Sequence, residues 1–299
     1  MDISNLEVQN ISKSFNAHKV VDDVSFSLNS GEIFGMVGPN GAGKTTTIRM
    51  IMDILKPDSG DITVLGQRFN DEAKDKIGYL PEERGMYKKL TVIESLIYMA
   101  ALKGVPTTPA KAKAIELLEK VGMGQHKDKK VEELSRGMSQ LIQFLITIQH
   151  DPEIMVLDEP FANLDPVNTK LLKDIVLEMR NKGKSIILST HLMNEVEEMC
   201  DRILMINQGR SMLYGNLADI KTKYRNNSVF VECDRLPIEI TGVDKVKQHD
   251  GHSELYLKQN ATPQTVLSAL VSDGVKIDRF ENAIPSLNDI FIQVVEEAR

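Results

Sequence analysis

Gly38-Pro39-Asn40-Gly41-Ala42-Gly43-Lys44-Thr45 is the stretch on which the reading of this chain turns. Two glycines flanking four residues, followed at once by Lys-Thr, make the pattern of a phosphate-binding loop. Ile33–Val37 runs into it as a short apolar segment suited to a buried strand, and Thr46-Thr47-Ile48-Arg49-Met50-Ile51-Met52 leaves it as a helix. Strand, loop and helix in that order are the context the motif needs. Glycine lets the backbone fold around phosphate oxygens, so that successive N–H groups and the helix N-terminus point at the anion. Lys44 is then placed to reach the β- and γ-phosphates, and the Thr45 hydroxyl to ligate Mg²⁺.

The chain has 299 residues, room for one large domain and a smaller one. A hydrophobic content of 41% and a charged content of 26% are ordinary for a globular protein. The net charge of −7 gives no support to a nucleic-acid-binding surface, which is usually basic, so no nucleic-acid partner is expected. Cys200 and Cys233 are isolated, without metal-ligand or redox spacing, and read as reduced thiols of the cytoplasm. The methionines fall largely in apolar runs and read as core filling. The start, Met1-Asp2-Ile3-Ser4-Asn5, lacks the basic-then-apolar pattern of a signal peptide. The longest apolar stretches, around 96–102 and 141–148, are far short of a membrane span. Any membrane connection is therefore expected through a partner.

Segments 6–11 and 20–28 alternate as strands, broken by Asn16-Ala17-His18. Phe15 ends the first, where an aromatic is placed either to stack on a nucleotide base or simply to fill core. The helix after Thr45 should stop before Lys56-Pro57-Asp58-Ser59-Gly60, with a strand at 61–65. Thr91-Val92-Ile93-Glu94 is a capping box opening an apolar helix that ends at Gly104. Pro109 opens another, with Ile115, Leu117 and Leu118 inward and Gly122 closing it. Lys127-Asp128-Lys129-Lys130 reads as a solvated loop, and Ser135 as the N-cap of the apolar helix through 141–148.

Ile154-Met155-Val156-Leu157 then runs into Asp158-Glu159. A continuous apolar run suits a central strand of a parallel sheet, and ligands collect at the carboxyl ends of such strands. An acidic strand end is common by itself. Paired with the phosphate loop, it supplies the Mg²⁺ ligand and the base of a nucleotide hydrolase. Asp165-Pro166 caps a helix to about 182, and 184–190 is a buried strand with His191 at its end, structural or within touch of a γ-phosphate. A helix at 194–200, a strand at 202–207, a hairpin-like turn at Gly209-Arg210 and a short closing helix at 216–224 follow. Beyond about 226 the texture changes: strands at 228–233, 243–249, 254–258 and 276–280, a turn signal at Asp250-Gly251, and helices capped at Thr262-Pro263 and Ser286-Leu287-Asn288-Asp289. That is a small α+β unit without a catalytic or metal constellation.

With these residues in place the chain resembles the ATP-binding subunit of ABC transporters over roughly residues 4–224. Gly38 through Thr45 is similar to the family's Walker A and 154–159 to its Walker B. Leu134-Ser135-Arg136-Gly137-Met138 resembles the signature sequence, Asn163-Leu164-Asp165 the D-loop, and His191 the switch histidine, while Phe15 falls where the adenine-stacking aromatic belongs. The nearest resemblance is to subunits with a C-terminal extension that serve exporters of drugs, sodium or other small molecules. Two departures stand out. Arg136 and Met138 replace a glycine and the glutamine of Leu-Ser-Gly-Gly-Gln, although Ser135 and Gly137, the groups that meet the γ-phosphate, are kept. Glu82 stands where the Q-loop glutamine belongs, a hard oxygen ligand that still faces Mg²⁺ or its water but adds negative charge.

The resemblance implies an α/β fold. A P-loop ABC ATPase core would span 1–224, with a mixed sheet and flanking helices, an antiparallel β subdomain and a helical subdomain at about 84–150. A small α+β accessory domain would follow at 225–299. It implies an ATPase motor that works head to tail with a second such subunit, a homodimer by expectation, with ATP and Mg²⁺ between Walker A of one copy and Ser135 and Gly137 of the other. Thr46 joins the phosphate-binding set; Asp158 and Thr45, with Glu82, serve Mg²⁺; Glu159 is the general base, His191 positions the γ-phosphate, and Asp165 links the two sites. The partner implied is a multi-span membrane permease gripped by the helical middle, which puts the chain in the cytoplasm on the inner face of the cell membrane. Two other readings stand beside it, a soluble ABC-type ATPase acting on ribosomes or nucleic acid, and a regulatory nucleotide switch.

Overall fold

The apolar alternation at the start of the chain folds back on itself through a two-residue turn. β1 (Ser4–Phe15) and β2 (His18–Asn29) pair antiparallel with Phe15 opposite His18. Asn16 and Ala17 both take positive φ, 47° and 65°, the backbone that matches a type I′ turn to twisted strands. The computed structural model describes residues 4–83, 85–249 and 251–297. Asp250 of the expected Asp250-Gly251 turn, Arg84 and the first three residues lie outside them.

Next come β3 (Ile33–Val37), α1 (Lys44–Ile51), β4 (Ser59–Val64), β5 (Gln67–Arg68), α2 (Asp71–Asp75) and β6 (Ile77–Leu80). A first sheet runs in the order β2-β1-β4-β5 and is antiparallel throughout. Its inward side chains, among them Leu6, Val8, Val24, Phe26 and Leu28, share one core with Phe34 and Met36 of β3 and with Ile48 and Ile51 of α1. Burying that apolar face locks the phosphate loop between two sheets.

The helical middle comprises α3 (Val92–Ala101), α4 (Thr107–Lys120) and α5 (Arg136–Ile148). Both halves of the Thr91–Glu94 capping box are present. Two expectations are corrected here. α4 starts earlier than Pro109, with Pro106 as its N-cap; Pro109 sits in the first turn, where a missing N–H removes no helical bond. Ile115 faces outward, because the buried stripe is Ala110, Ala114, Leu117 and Leu118, and Ile115 lies off it. The 127–130 run is more than a solvated loop. The carbonyls of Lys127 and Lys129 accept the N–H groups of Ile93 and Val92 at 2.9 Å each, satisfying donors at the start of α3.

β7 (Ile154–Asp158), α6 (Pro166–Asn181), β8 (Ser185–Thr190), α7 (Met193–Met199), β9 (Arg202–Asn207) and β10 (Arg210–Asn216) complete this part. The second sheet has the order β10-β9-β3-β8-β7-β6, parallel except for β10. β3, β7 and β8 are buried along their whole length, as continuous apolar runs in a doubly covered parallel sheet should be. Register then decides the site. Val37 lies opposite Thr190, and Asp158 opposite Ser189, so three strands end together at one edge.

The chain divides into two compact units, Met1–Leu217 and Ala218–Arg299. The division falls ahead of the expected 224/225 boundary, so that nearly all of α8 (Leu217–Lys223) goes with the second unit. That unit holds β11 (Ser228–Cys233), β12 (Val243–Gln248), β13 (Ser253–Leu257), α9 (Pro263–Ser272), β14 (Ile277–Asn282) and α10 (Leu287–Glu297). Its antiparallel sheet, β12-β13-β11-β14, buries Val229, Val231 and Leu255 against Val266 and Leu270 of α9. Among the described residues no helix is long and apolar enough to cross a membrane.

Candidate functional site

A cleft of about 390 Å³ opens at the strand edge set by this register. Its walls are Asn40, Gly41, Gly43, Lys44, Thr45 and Thr46 from the loop and the start of α1, Asp158 and Glu159 from the end of β7, Glu82 beyond β6, and Val20 of β2. Gly43 is the N-cap of α1 and takes φ 109°. A Cβ there would fall 2.7 Å from the Val20 carbonyl oxygen, so only glycine fits. Since glycine offers no capping side chain, the first N–H groups of α1 stay free to hold an anion.

Lys44 is buried and its Nζ donates to the Gly38 and Pro39 carbonyls at 2.7 and 3.1 Å. Burial holds the amine below its ordinary pKa, against the pull of the Glu159, Asp158 and Glu82 carboxylates. Asp158 is fully buried, and no hydrogen bond of normal geometry reaches either carboxylate oxygen. Burial raises its pKa; the Ser189 and Thr45 hydroxyls lie close enough to favour the charged form. Two orphaned oxygens beside a threonine hydroxyl are hard donors, the chemistry that suits Mg²⁺ held jointly with phosphates. No cluster of three or more His, Cys, Asp or Glu able to hold an ion alone occurs among the described residues.

Glu159 leaves β7 at φ 49°, a backbone few side chains adopt, stabilised by its N–H bond to the Ser189 carbonyl at 2.9 Å. Its Oε1 accepts the backbone N–H of His191 at 3.0 Å and pairs with His191 Nδ1 at 2.8 Å. The structure therefore brings together Lys44, Thr45, Thr46, Glu82, Asp158, Glu159 and His191. Phe15 stands exposed at the end of β1, with Lys13 Nζ 5.9 Å from its ring centre, and is not among the residues lining the cleft.

Ser135, Gly137 and Asp165 also lie outside the cleft lining. Ser135 Oγ accepts the Met138 N–H at 3.2 Å as the N-cap of α5. A Cβ on Gly137 would meet the Asn163 carbonyl oxygen at 3.3 Å, so the two segments are packed against each other. Asp165 caps α6, accepting from the N–H groups of Val167 and Asn168 at 2.9 and 3.0 Å, and these bonds with Asn168 hold its carboxyl below the usual range. Sequence reasoning missed Val20, Thr190 and Glu195. Val20 contributes through shape. Thr190 and Glu195 meet the site through the Thr190 hydroxyl, which lies within hydrogen-bond reach of both Glu159 and Glu195, a pairing that no local pattern signals.

A glycine-lined helix N-terminus, a buried lysine and a strand-end Asp-Glu pair in one cleft define a P-loop nucleoside triphosphatase. The ABC transporter family profile matches residues 21–162, and one described as ATP-binding protein DrrA1-3-like, C-terminal domain, matches 215–295. The chain is 38% identical over 97% of its length to the ABC transporter ATP-binding protein YhaQ of Bacillus subtilis, covering 98% of that protein. It is 37% identical over 75% of its length to the linearmycin resistance ATP-binding protein LnrL of the same organism, covering 73% of it. A solved ATP-binding subunit of an ABC transporter superposes with a TM-score of 0.69 at 31% identity, over 73% of this chain and 92% of that one. This chain belongs to the ABC transporter ATP-binding proteins, a family that binds and hydrolyses ATP.

Proposed function

We propose that this chain is the ATP-hydrolysing motor subunit of an exporter, working as a head-to-tail homodimer on the inner face of the membrane beneath a separate multi-span permease. The observation that carries the reading is the meeting, at one strand edge, of the free α1 N-terminus and Lys44 with the orphaned Asp158 carboxylate and the His191-held Glu159. Lys44 and the α1 amides bind the nucleotide's phosphates. Thr45 and Asp158 would hold Mg²⁺, with Glu82 toward its water; bound there, the ion supplies charge neutralisation on the β- and γ-oxygens. Glu159 polarises the attacking water, and His191 keeps the Glu159 carboxylate aimed while its ring faces the γ-phosphate.

The absence of Ser135 and Gly137 from the cleft lining supports a second copy as the lid, whose α5 N-terminus completes the anion cage from the open side. Asp165 then lies where one site meets the other, and Phe15 is exposed for the adenine ring. The likeness to a linearmycin resistance protein supports export, since a transporter subunit confers resistance most directly by moving the compound out. Residues 225–299 serve as an accessory domain in dimer contact or regulation.

Replacing Glu159 by Gln tests the core of this. The variant should bind ATP normally yet lose about 10²–10⁴-fold in turnover, the usual cost of removing a general base. Phosphate release at the wild-type rate would overturn the assignment. Capture of a multi-span membrane protein on the tagged chain is the expected partner result, and recovery with ribosomes instead would sink the transporter half.

A further inference from the structure

Thr190 ends β8 with its hydroxyl buried between two carboxylates. Its Oγ1 lies 3.0 Å from Glu195 Oε2 and 3.3 Å from Glu159 Oε2, and it accepts the Leu192 N–H at 3.1 Å. A hydroxyl has one proton and two lone pairs. Leu192 fills one lone pair, which leaves one donor and one acceptor position facing two carboxylates. If both were ionised, one would confront a lone pair at hydrogen-bond distance in a buried site, a repulsive arrangement. The bonding closes when one of them carries a proton.

The surroundings say which. Glu159 faces the cleft, and its Oε1 is already met by the backbone N–H and the ring Nδ1 of His191, so its bonding closes without a proton of its own. Glu195 is buried in the first turn of α7. Burial is the largest influence on it and favours the neutral acid, and the charge on Glu159 pushes the same way; a hydrogen bond received from the Thr190 hydroxyl would favour the charged form, as Lys173 and His191 do. Lys173 is itself engaged by Glu198 at 2.6 Å. The Cys200 thiol beyond the helix end is buried, and burial keeps it neutral.

We propose that Glu195 is a positioning residue for hydrolysis: as the neutral acid it donates to Thr190 Oγ1, which turns the Thr190 hydroxyl onto Glu159. The chain Glu195–Thr190–Glu159 then fixes the base from Oε2 while His191 fixes it from Oε1. Without the first hold the carboxylate is fixed from Oε1 alone, can rock about its broad terminal torsion and spends less time aimed at the attacking water. The inference rests on the reading of Glu159 as the base.

The test uses the purified full chain with Glu195→Gln, Glu195→Ala and Thr190→Val. A glutamine amide N–H donates where the acid O–H would. Removing the donor in Thr190→Val should lower kcat by about tenfold with the KM for ATP shifted by less than about twofold, the size of one lost hydrogen bond in the transition state, and Glu195→Ala, which leaves the Thr190 hydroxyl unheld but still able to donate, should lower it by a smaller factor. Gln should recover most of the loss. Wild-type kcat should fall as pH rises through the raised pKa of Glu195, and the Gln variant should lack that limb. Infrared difference spectra of the nucleotide-free wild type and Gln variant at neutral pH should show one carboxylic-acid band lost. Thr190→Val, close in volume to the original, carries the kinetic arm if Glu195→Ala does not fold. A Gln variant as impaired as Ala, or no acid band lost, overturns the proposal. Failure of the parent reading looks different: Glu159→Gln would keep its turnover and leave the acid band in place.

Discussion

Shut away from water and reached by no hydrogen bond of normal geometry, the Asp158 carboxylate works against the stability of the nucleotide-free chain. The proposed cation site gives this cost a use, since two orphaned hard oxygens are what Mg²⁺ binds. Asp158→Asn should therefore separate stability from function. The nucleotide-free variant should gain about 1–2 kcal/mol, because a neutral amide costs less to bury than an unpaired charge. ATP hydrolysis should fall by about a hundredfold or more as the cation's hold on the phosphates is lost. Denaturant midpoints and phosphate release read the two effects on one preparation, and a variant that is less stable would contradict the account. Much at this scale was legible in the sequence: Lys44, Thr45, Asp158 and Glu159 announce themselves through a loop pattern and an apolar run ending in acids. What was not legible depends on pairing. Glu159 meets His191 from 32 residues away, and Glu195 reaches Glu159 only through Thr190, contacts that no local pattern encodes.

Elements with local signals behave as their residues say. Thr91 Oγ1 accepts the Glu94 N–H at 3.3 Å while Glu94 Oε2 accepts the Thr91 N–H at 2.8 Å, so each end of the box satisfies a donor that the helix cannot. Thr91→Ala should cost about 1 kcal/mol, seen as a lower denaturant midpoint with an unchanged slope. A cost near zero would mean that the Lys127 and Lys129 carbonyls alone hold the start of α3. Ser135, Asp165 and Thr262 cap their helices in the same readable way. The unread elements are those without a period to detect. β5 has two residues and β6 four, too short for alternation, and β10 is an edge strand with no fully buried position. The start of α4 was misplaced because a proline marks a first turn without saying which position in it.

At the scale of the molecule, one chain carries every part of a site but not in one place. The phosphate loop and the carboxylates line a cleft, whereas Ser135 and Gly137 sit on a separate surface beside Asn163. Head-to-tail pairing with two-fold symmetry would unite them, and it makes an unusual demand on mutants. Lys44→Ala removes the phosphate grip but leaves Ser135 intact; Ser135→Arg spoils the lid but leaves Lys44 intact. Each variant alone has two defective sites per dimer. In a mixed dimer one site receives both lesions and the other receives neither. Equal mixing gives half mixed dimers with one of two sites whole, so activity should return to about a quarter of wild type if the sites turn over independently. Recovery well below that share points to sites that must fire together, the coupling in which Asp165 at the start of α6 is proposed to act. No recovery of turnover together with no ATP-driven closure of the mixed dimer, whose one whole site should still close on nucleotide, would mean that Ser135 serves its own chain's nucleotide, and the head-to-tail arrangement would have to be given up.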